Sequence, residues 1–579
     1  MSNESIKFSF KNNKSQLAIA FISLILFFLV AYIIHINFSY YWDFLHSDIA
    51  ADLAFIREAA NTFSLFPYGW AHINEMRFIY ITTIAIPFYW ITSNVHIAYS
   101  LAVSLMLIIN IALFCYMLSF KKRNIFAILV GSIVLSMFFS RYDQFSVFSI
   151  LFVNGTLSTH LATVFLTLGV FLRIKYKTEN FKWEKALWII TLFLAFAQGI
   201  QSSRMFIVLY TPLIFIELLP IFRSTSSKES KVNGLGFLYA AIAFLLNLFG
   251  MFFVNFLTNN GIIVLEEAAL TFGFNIVDTS QFIDRIIQAI TTLFQTFGLI
   301  GGYEFFSAGG LIFVIRIGFI FTIFFIYKNM KKDFADKNLV DIFITTIIFS
   351  TLSQALISIG MGERFNFTAT SLMSVMFVVS LDDIIESARI KKIELDDAEK
   401  QVVTKKHKLS INKILRLVYT NFANGLEQQV LQKYLAGGLI IVVLVGTFLT
   451  LNTLGVDRNP YLVADRQRIV NFLKEENLTV GYGAFWQSLA ISGVSDFEVI
   501  VIPFHANQAV VGSPLRQGVA YSDFFHNQDR VFLVGAANHI ADAYDHYRMG
   551  SILELGERHD FPGGWVVYIF DFNPWAEFK

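Results

Sequence analysis

Long apolar runs separated by short polar stretches dominate this chain, and the runs set its architecture. They fall at 17–36, 97–120, 125–139, 157–172, 186–197, 205–222, 235–257, 310–327, 339–359, 367–381 and 435–454. A helix needs roughly 20 apolar residues to cross a bilayer, so the pattern predicts about eleven transmembrane helices. The run at 78–91 is shorter and contains Pro87. Two regions break the pattern. Residues 382–433 are rich in Lys, Glu and Asp at helical spacing and read as a charged cytosolic linker helix. Residues 456–579 mix a helical stretch at 466–476 with short β-branched and aromatic runs at 497–502, 530–534 and 565–570, bounded by Gly, Pro and Asn. The expected division is a transmembrane module over 1–381, the linker over 382–433, a last span over 434–455 and an extracytoplasmic α/β domain over 456–579. Ile283, Ile286, Ile287 and Ile290 fall on one side of a helix expected over 282–297.

Composition agrees with the pattern. Of 579 residues, 55% are hydrophobic and 15% charged, where soluble domains carry about a quarter charged. The net charge of +1 says little, because the charges are sorted by loop. If 78–91 lies in the membrane interface without crossing, one side holds Lys7, Lys11, Lys14, Lys121, Lys122, Arg123, Arg173, Lys175, Arg223, Lys328 and the basic linker. The other side, before the tail, keeps Arg57, Arg77, Arg141, Arg204, Arg285 and Arg364. That asymmetry fits the positive-inside rule with the N-terminus inside and the C-terminal domain outside. The single cysteine, Cys115, permits no intramolecular disulfide. The first run is longer than a signal core and lacks a small-residue cleavage site, so it reads as a retained anchor.

Charge gathers where the flanking sequence avoids it. Asp43, Asp48, Asp52, Arg57, Glu58, Glu75 and Arg77 all follow the first span, within an outer loop at 39–96. Ionisable groups at a membrane surface beside a helical bundle suggest a functional site. Ile49, Leu53, Ile56, Ala60 and Phe63 recur at helical spacing, which predicts a helix lying along the membrane with its apolar side down. Ser47 is its expected N-cap, with Asp48 in the first turn; a carboxylate there also answers the helix dipole. Arg141-Tyr142-Asp143, Arg204 at the end of Gln198–Arg204 and Glu363-Arg364 lie in other outer loops. A lone arginine at a helix end often snorkels, but a guanidinium also offers phosphate a planar fork of donors that never deprotonates. An enzyme on the outer leaflet has no access to cytosolic nucleotides, so its activated substrate must arrive on lipid. Glycosyl transfer from a polyprenyl phosphate fits, with a carboxylate deprotonating the acceptor and arginines stabilising the departing phosphate.

Ser47-Asp48-Ile49-Ala50-Ala51-Asp52, Trp70-Ala71-His72-Ile73-Asn74-Glu75-Met76-Arg77, Gly199 to Arg204 followed by Pro212, and Glu363-Arg364-Phe365 occur in an order that resembles bacterial GT-C superfamily glycosyltransferases, including relatives of the aminoarabinose and protein mannosyl transferases. The resemblance covers roughly 40–380 and is one of pattern. It implies a polytopic α-helical fold, an Asp base best matched by Asp48, and an outer α/β domain that helps bind the acceptor. Asp48 lacks the adjacent acid of some relatives, so Asp43 and Asp52 stay beside it as catalytic candidates and a divalent metal stays open. Arg204, Arg364 and Arg141 are the candidates for donor phosphate. Asp143, Glu75, Arg77, Tyr142 and His46 are those for other substrate contacts. The expected partners are a polyprenyl-phosphate-linked sugar, a glycan, lipid or protein acceptor and the bilayer, with no nucleic acid.

Other constellations are weaker. His46, His72 and His160 lack the close regular spacing of a zinc site. Gly301-Gly302 and Gly309-Gly310 lack the Lys-Ser/Thr of a phosphate-binding loop. A transporter or flippase of a lipid-linked sugar would show related halves, which this sequence does not. A non-catalytic envelope assembly protein is the remaining alternative.

Overall fold

The computed structural model describes residues 13–39, 45–65, 67, 70–72, 76–141, 146–176, 181–222, 234–265, 279–299, 306–329, 334–356, 366–405, 411–456, 460–504, 528–537, 540 and 550–574. The helices are α1 (Asn13–Ser39), α2 (Ser47–Thr62), α3 (Ile81–Thr92), α4 (Val95–Leu118), α5 (Ile125–Ile133), α6 (Ser158–Tyr176), α7 (Phe181–Gln201), α8 (Thr211–Phe222) and α9 (Gly234–Asn259). They continue as α10 (Phe282–Thr296), α11 (Ala308–Asn329), α12 (Phe334–Leu356), α13 (Ala369–Lys405) and α14 (Ile411–Val456). Among the described residues, α1, α4, α9, α11, α12 and α14 are long and apolar enough to cross a membrane, and shorter apolar helices lie between them. This is a multi-pass membrane protein. Every predicted span falls on a helix.

Local sequence explains several boundaries. Asn94 and Asn124 cap α4 and α5, their side chains accepting from the Ile97 and Phe126 amides. Phe63 (φ 50°) and Ser93 (φ 52°) end α2 and α3 in the left-handed region, a common helix stop. Three π-helical turns, Val134–Phe138, Ser149–Val153 and Phe206–Tyr210, interrupt the bundle. The segment over 382–433 is not a helix of its own. α13 runs past the bundle to Lys405, and α14 begins at Ile411 and enters it. Charged helical spacing cannot distinguish an independent helix from the extension of a span.

The two ends of the bundle differ. α1 ends beside α4's first turns, where the Ser100 hydroxyl donates to the Asn37 carbonyl. α3 begins and ends at that same end: Thr83 donates to the Arg77 carbonyl, and the Trp90 indole donates to the Ala60 carbonyl of α2. Lys121 and Arg123 meet Asp336 at the opposite end, where Lys175 also pairs with Glu217.

The C-terminal domain adds α15 (Pro460–Glu475) and α16 (Phe485–Val494) to a mixed sheet of strands β3 (Val480–Ala484), β4 (Ile500–Phe504), β5 (Val531–Ala536), β6 (Glu557–Phe561) and β7 (Trp565–Phe570). Strands β1 (Ala71–His72) and β2 (Val264–Leu265) form a separate short parallel pair in the loops below. The domain sheet has order β4-β3-β5-β7-β6. β3 pairs in parallel with β4 and β5, whereas β7 runs antiparallel to both β5 and β6. Side chains alternate across the sheet. Phe532, Val534, Val567 and Ile569 join one core cluster, and Val531, Leu533, Val566 and Phe570 join another.

The first of those clusters contains α2. Ile49, Leu53 and Ile56 are fully buried with Ile469, Leu473, Leu489 and Ile491 of the domain and with Ile81 of α3. The apolar side predicted to lie on lipid is therefore enclosed by protein from Ile49 to Ala60, while Phe63 just beyond the helix is exposed. Burying such side chains contributes about 1.5–3 kcal/mol each, so α2 is the mount of the C-terminal domain. Arg57 fixes the contact, donating to the Asp496 carbonyl at 2.6 Å and lying over the Phe497 ring. By contrast α10 keeps an exposed apolar face of Ile283, Ile287, Ile290 and Phe294. At 15 residues α10 is too short to cross, and it lies as an interfacial helix.

Candidate active site

The acidic stretch after α1 folds into the start of α2. His46, and not Ser47, is the N-cap: its Nδ1 accepts from the Asp48 amide at 3.2 Å. The Asp48 carboxylate stands 3.9 Å from the same Nδ1, with its side chain 41% exposed. One turn further, Asp52 is buried and accepts from Arg77 Nε at 2.7 Å. The two acids share one helix face because they are four residues apart, yet their surroundings are opposite.

Arg77 is itself buried, in a left-handed turn with φ 42°. Burial opposes its charge, but Asp52, Tyr80 and Asp48 outweigh that and raise its pKa. Its guanidinium also lies 5.7 Å from the Phe55 ring centroid, and Phe55 packs edge-on against Trp70. A charge held this way is costly to remove from either side.

The C-terminal end of α7, where a loop begins, grips the same segment. The Met76 amide donates to the Gln201 carbonyl at 3.1 Å, and the Ile79 amide donates to Gln201 Oε1 at 3.0 Å. That loop is positioned by a close crossing of α7 and α9. A Cβ at Gly199 would collide with the Asn247 backbone, and one at Gly250 with the Phe196 carbonyl. Arg204 follows within three residues of Gln201 and is half-buried, its amide approaching Ser202 Oγ at 3.4 Å. The structure thus brings His46, Asp48, Asp52 and Arg77 into one cluster, with Gln201 at the end of α7 bonded to its segment and Arg204 three residues further along the chain. Gln201 is a contact that sequence reasoning quoted without assigning.

Arg141 lies just beyond the first π-helical turn and lines a cavity of about 280 Å³, whose described walls also include Arg316, Ser140, Ser307, Asn452 and Thr453. Arg316 was missed by sequence reasoning; its signal was a lone charge inside the run at 310–327. Arg466 was missed too. It is buried in the domain, donates to the Leu45 carbonyl at 2.6 Å and is pushed down to about 10 by burial. It ties α15 to the residue preceding the His46 cap. Asp43, Glu75, Tyr142, Asp143 and Arg364 lie outside the described residues. His160 is buried against Phe367. Among the described residues, no group of three or more His, Cys, Asp or Glu side chains could hold a metal ion.

Comparison with known proteins adds a fold. No family model matches the chain, and no curated protein matches it. Among solved structures, the crystal structure of ArnT from Cupriavidus metallidurans bound to undecaprenyl phosphate is similar at TM-score 0.51, with 13% identity over 94% of this chain and 97% of that one. An oligosaccharyltransferase from Archaeoglobus fulgidus, tethered to an acceptor peptide with the NVT sequon, gives TM-score 0.40 and 13% identity over 92% and 70% of the two chains; nothing below rests on it. The polytopic bundle with a C-terminal α/β domain, implied by the GT-C resemblance, is the fold found.

Proposed function

We propose that this chain, sharing the fold of ArnT, is an integral-membrane glycosyltransferase that moves a sugar from a polyprenyl-phosphate carrier to an acceptor hydroxyl of an envelope glycan, a lipid or a protein. The reaction takes place at the outer face of a bacterial cytoplasmic membrane, with the N-terminus inside. Supporting that orientation, Lys121, Arg123 and Lys175 gather at the bundle end away from the C-terminal domain, as cytoplasmic basic residues do.

The observation that carries the reading is the contrast between Asp48 and Asp52. Asp48 is open to a substrate, and Asp52 is committed to Arg77. Asp48 takes the proton of the acceptor hydroxyl as that oxygen attacks the anomeric carbon. The bond from the anomeric carbon to the carrier phosphate breaks, and the phosphate leaves with the electron pair. Arg77 and Arg204 stabilise the charge that develops on it. Asp52 positions Arg77. Asp43, Glu75, Tyr142, Asp143 and Arg364 complete the acceptor and phosphate contacts.

The test supplies purified protein in proteoliposomes with polyprenyl-phosphate-linked sugars and follows release of free polyprenyl phosphate by mass spectrometry. Asp48→Asn is expected to lower release about 10²–10⁴-fold, with the protein still folded by gel filtration. Undiminished release would overturn the assignment of Asp48. Movement of the intact lipid-linked sugar across the bilayer, with its glycosidic bond unchanged, would replace transfer by flipping.

A further inference from the structure

The C-terminal domain holds α2 at both ends. At the far end Arg57 donates to the Asp496 carbonyl. At the near end Arg466 of α15 donates to the carbonyl of Leu45, directly before His46 and Asp48. We infer that Arg466 is a positioning residue, which sets the start of α2 through Leu45 and so places the Asp48 carboxylate. The inference rests on the reading of Asp48 as the base.

Asp48 lies in the first turn of α2, where amides lack intrahelical partners and helices fray. Three hydrogen bonds hold that turn. The Asp48 amide donates to His46 Nδ1 at 3.2 Å, and the Ala50 amide donates to the His46 carbonyl at 2.9 Å. Both are local and move with the segment. The third, from Arg466 at 2.6 Å, spans 421 residues of sequence. Of these three bonds, only that one ties the turn to another domain. Leu45 and Arg466 are both buried, and a hydrogen bond from an ionised donor is about twice as strong as a neutral one. Burial pushes Arg466 down to about 10, which leaves it charged at neutral pH.

A second element of the domain closes on the same turn. A Cβ at Gly493 of α16 would stand 3.1 Å from Ala50 Cβ and 3.4 Å from Leu45 Cδ2, so α16 packs at the limit of contact. α15 therefore holds the backbone of Leu45 while α16 walls its side chain. A base must stand within hydrogen-bond reach of the proton it takes, and misplacement by about 1 Å can cost about 10²-fold in rate. The domain acts on the reaction by position, from the end of α2 where Asp48 stands. Arg57 holds the other end, about two and a half turns further along the helix.

The experiment compares the full chain in proteoliposomes with Arg466→Met, Arg466→Lys and Arg57→Gln. Hydrogen exchange of peptides covering 45–52 is read by mass spectrometry, beside kcat and KM for release of polyprenyl phosphate. Arg466→Met keeps an unbranched side chain and removes a charge that burial opposes, so the domain is expected to fold. Exchange over 45–52 is expected to quicken about tenfold or more, and kcat to fall about 10–10²-fold with KM within about twofold. Arg466→Lys, which keeps a donor, is expected to restore most of both. Arg57→Gln is expected to leave both as in wild type. Equal losses in Arg466→Met and Arg57→Gln would reduce Arg466 to a docking contact and overturn the inference, as would wild-type exchange in Arg466→Met. Should Arg466→Met not fold, Gly493→Val, which drives α16 against Leu45 and Ala50, is measured in its place with the same expected and overturning results. Failure of the base assignment looks different. Faster exchange in Arg466→Met with undiminished release in Asp48→Asn would overturn Asp48 as the base and leave the hold on α2 standing. Faster exchange with an undiminished kcat in Arg466→Met, while Asp48→Asn collapses, would overturn the positioning role alone.

Discussion

Two buried arginines at opposite ends of the bundle solve the same problem differently. Arg123 meets Asp336 and lies 3.5 Å from Asp382, so its charge is answered by acids. Arg316 meets the carbonyls of Phe138 and Ser140 and the hydroxyl of Thr450, beside a cavity. A guanidinium among carboxylates is a closed structural unit. One that donates to main-chain carbonyls is instead oriented by the backbone, so its place depends on how the neighbouring helix winds.

The sharpest way to break this contrast is to remove each charge in turn. Arg123→Met leaves Asp336 to Lys121 and Asp382 to the Asn124 amide, and is expected to cost about 3–5 kcal/mol, read as a collapsed thermal transition in mild detergent. Arg316→Met withdraws the hydrogen bonds to two carbonyls and a hydroxyl and is expected to cost about 1.5–3 kcal/mol by the same measurement. Equal losses would mean that the two arginines are both merely structural. Gly298→Ala forces a side chain into a left-handed turn and against Arg316; a cost of about 1–3 kcal/mol is expected, read from the same thermal transition. The smallest effect belongs to Ile290→Ser on the exposed face of α10. It should change the thermal transition in detergent by no more than about 0.5 kcal/mol.

Much of the fold was legible in the sequence. The apolar runs located the helices, and the spacing of Ile283, Ile286, Ile287 and Ile290 located α10, because periodicity reports which side of a helix avoids water. It does not report what covers that side. Ile49, Leu53 and Ile56 marked a helix correctly, yet a lipid tail and the domain's Leu489 and Ile491 are equally apolar, so α2's true partner was invisible. β3 and β6 escaped for opposite reasons. Gly481 and Gly483 give β3 the composition of a turn, while Glu557, Arg558 and Asp560 give β6 that of a solvated loop, as suits an edge strand. The acidic cluster was legible by its charge density. The pairing of Asp52 with Arg77 was not, since 25 residues separate them and only the folded loop sets their distance. Of the three arginines grouped by sequence, Arg204 follows three residues after Gln201, Arg141 lines a cavity with Arg316, and Arg364 lies outside the described residues.

The π-helical turn at Val134–Phe138 gives Arg141 a bearing that depends on one surplus residue. Such turns arise when a helix carries an extra residue in its ladder, and each residue advances the helix by about 100°. Deleting Ser136 would return the segment to regular winding and swing everything beyond it, including the carbonyls of Phe138 and Ser140, out of register with Arg316. The angular phase of a whole cavity wall is thus held in a single insertion, which a one-codon deletion could erase without altering any residue that lines the cavity.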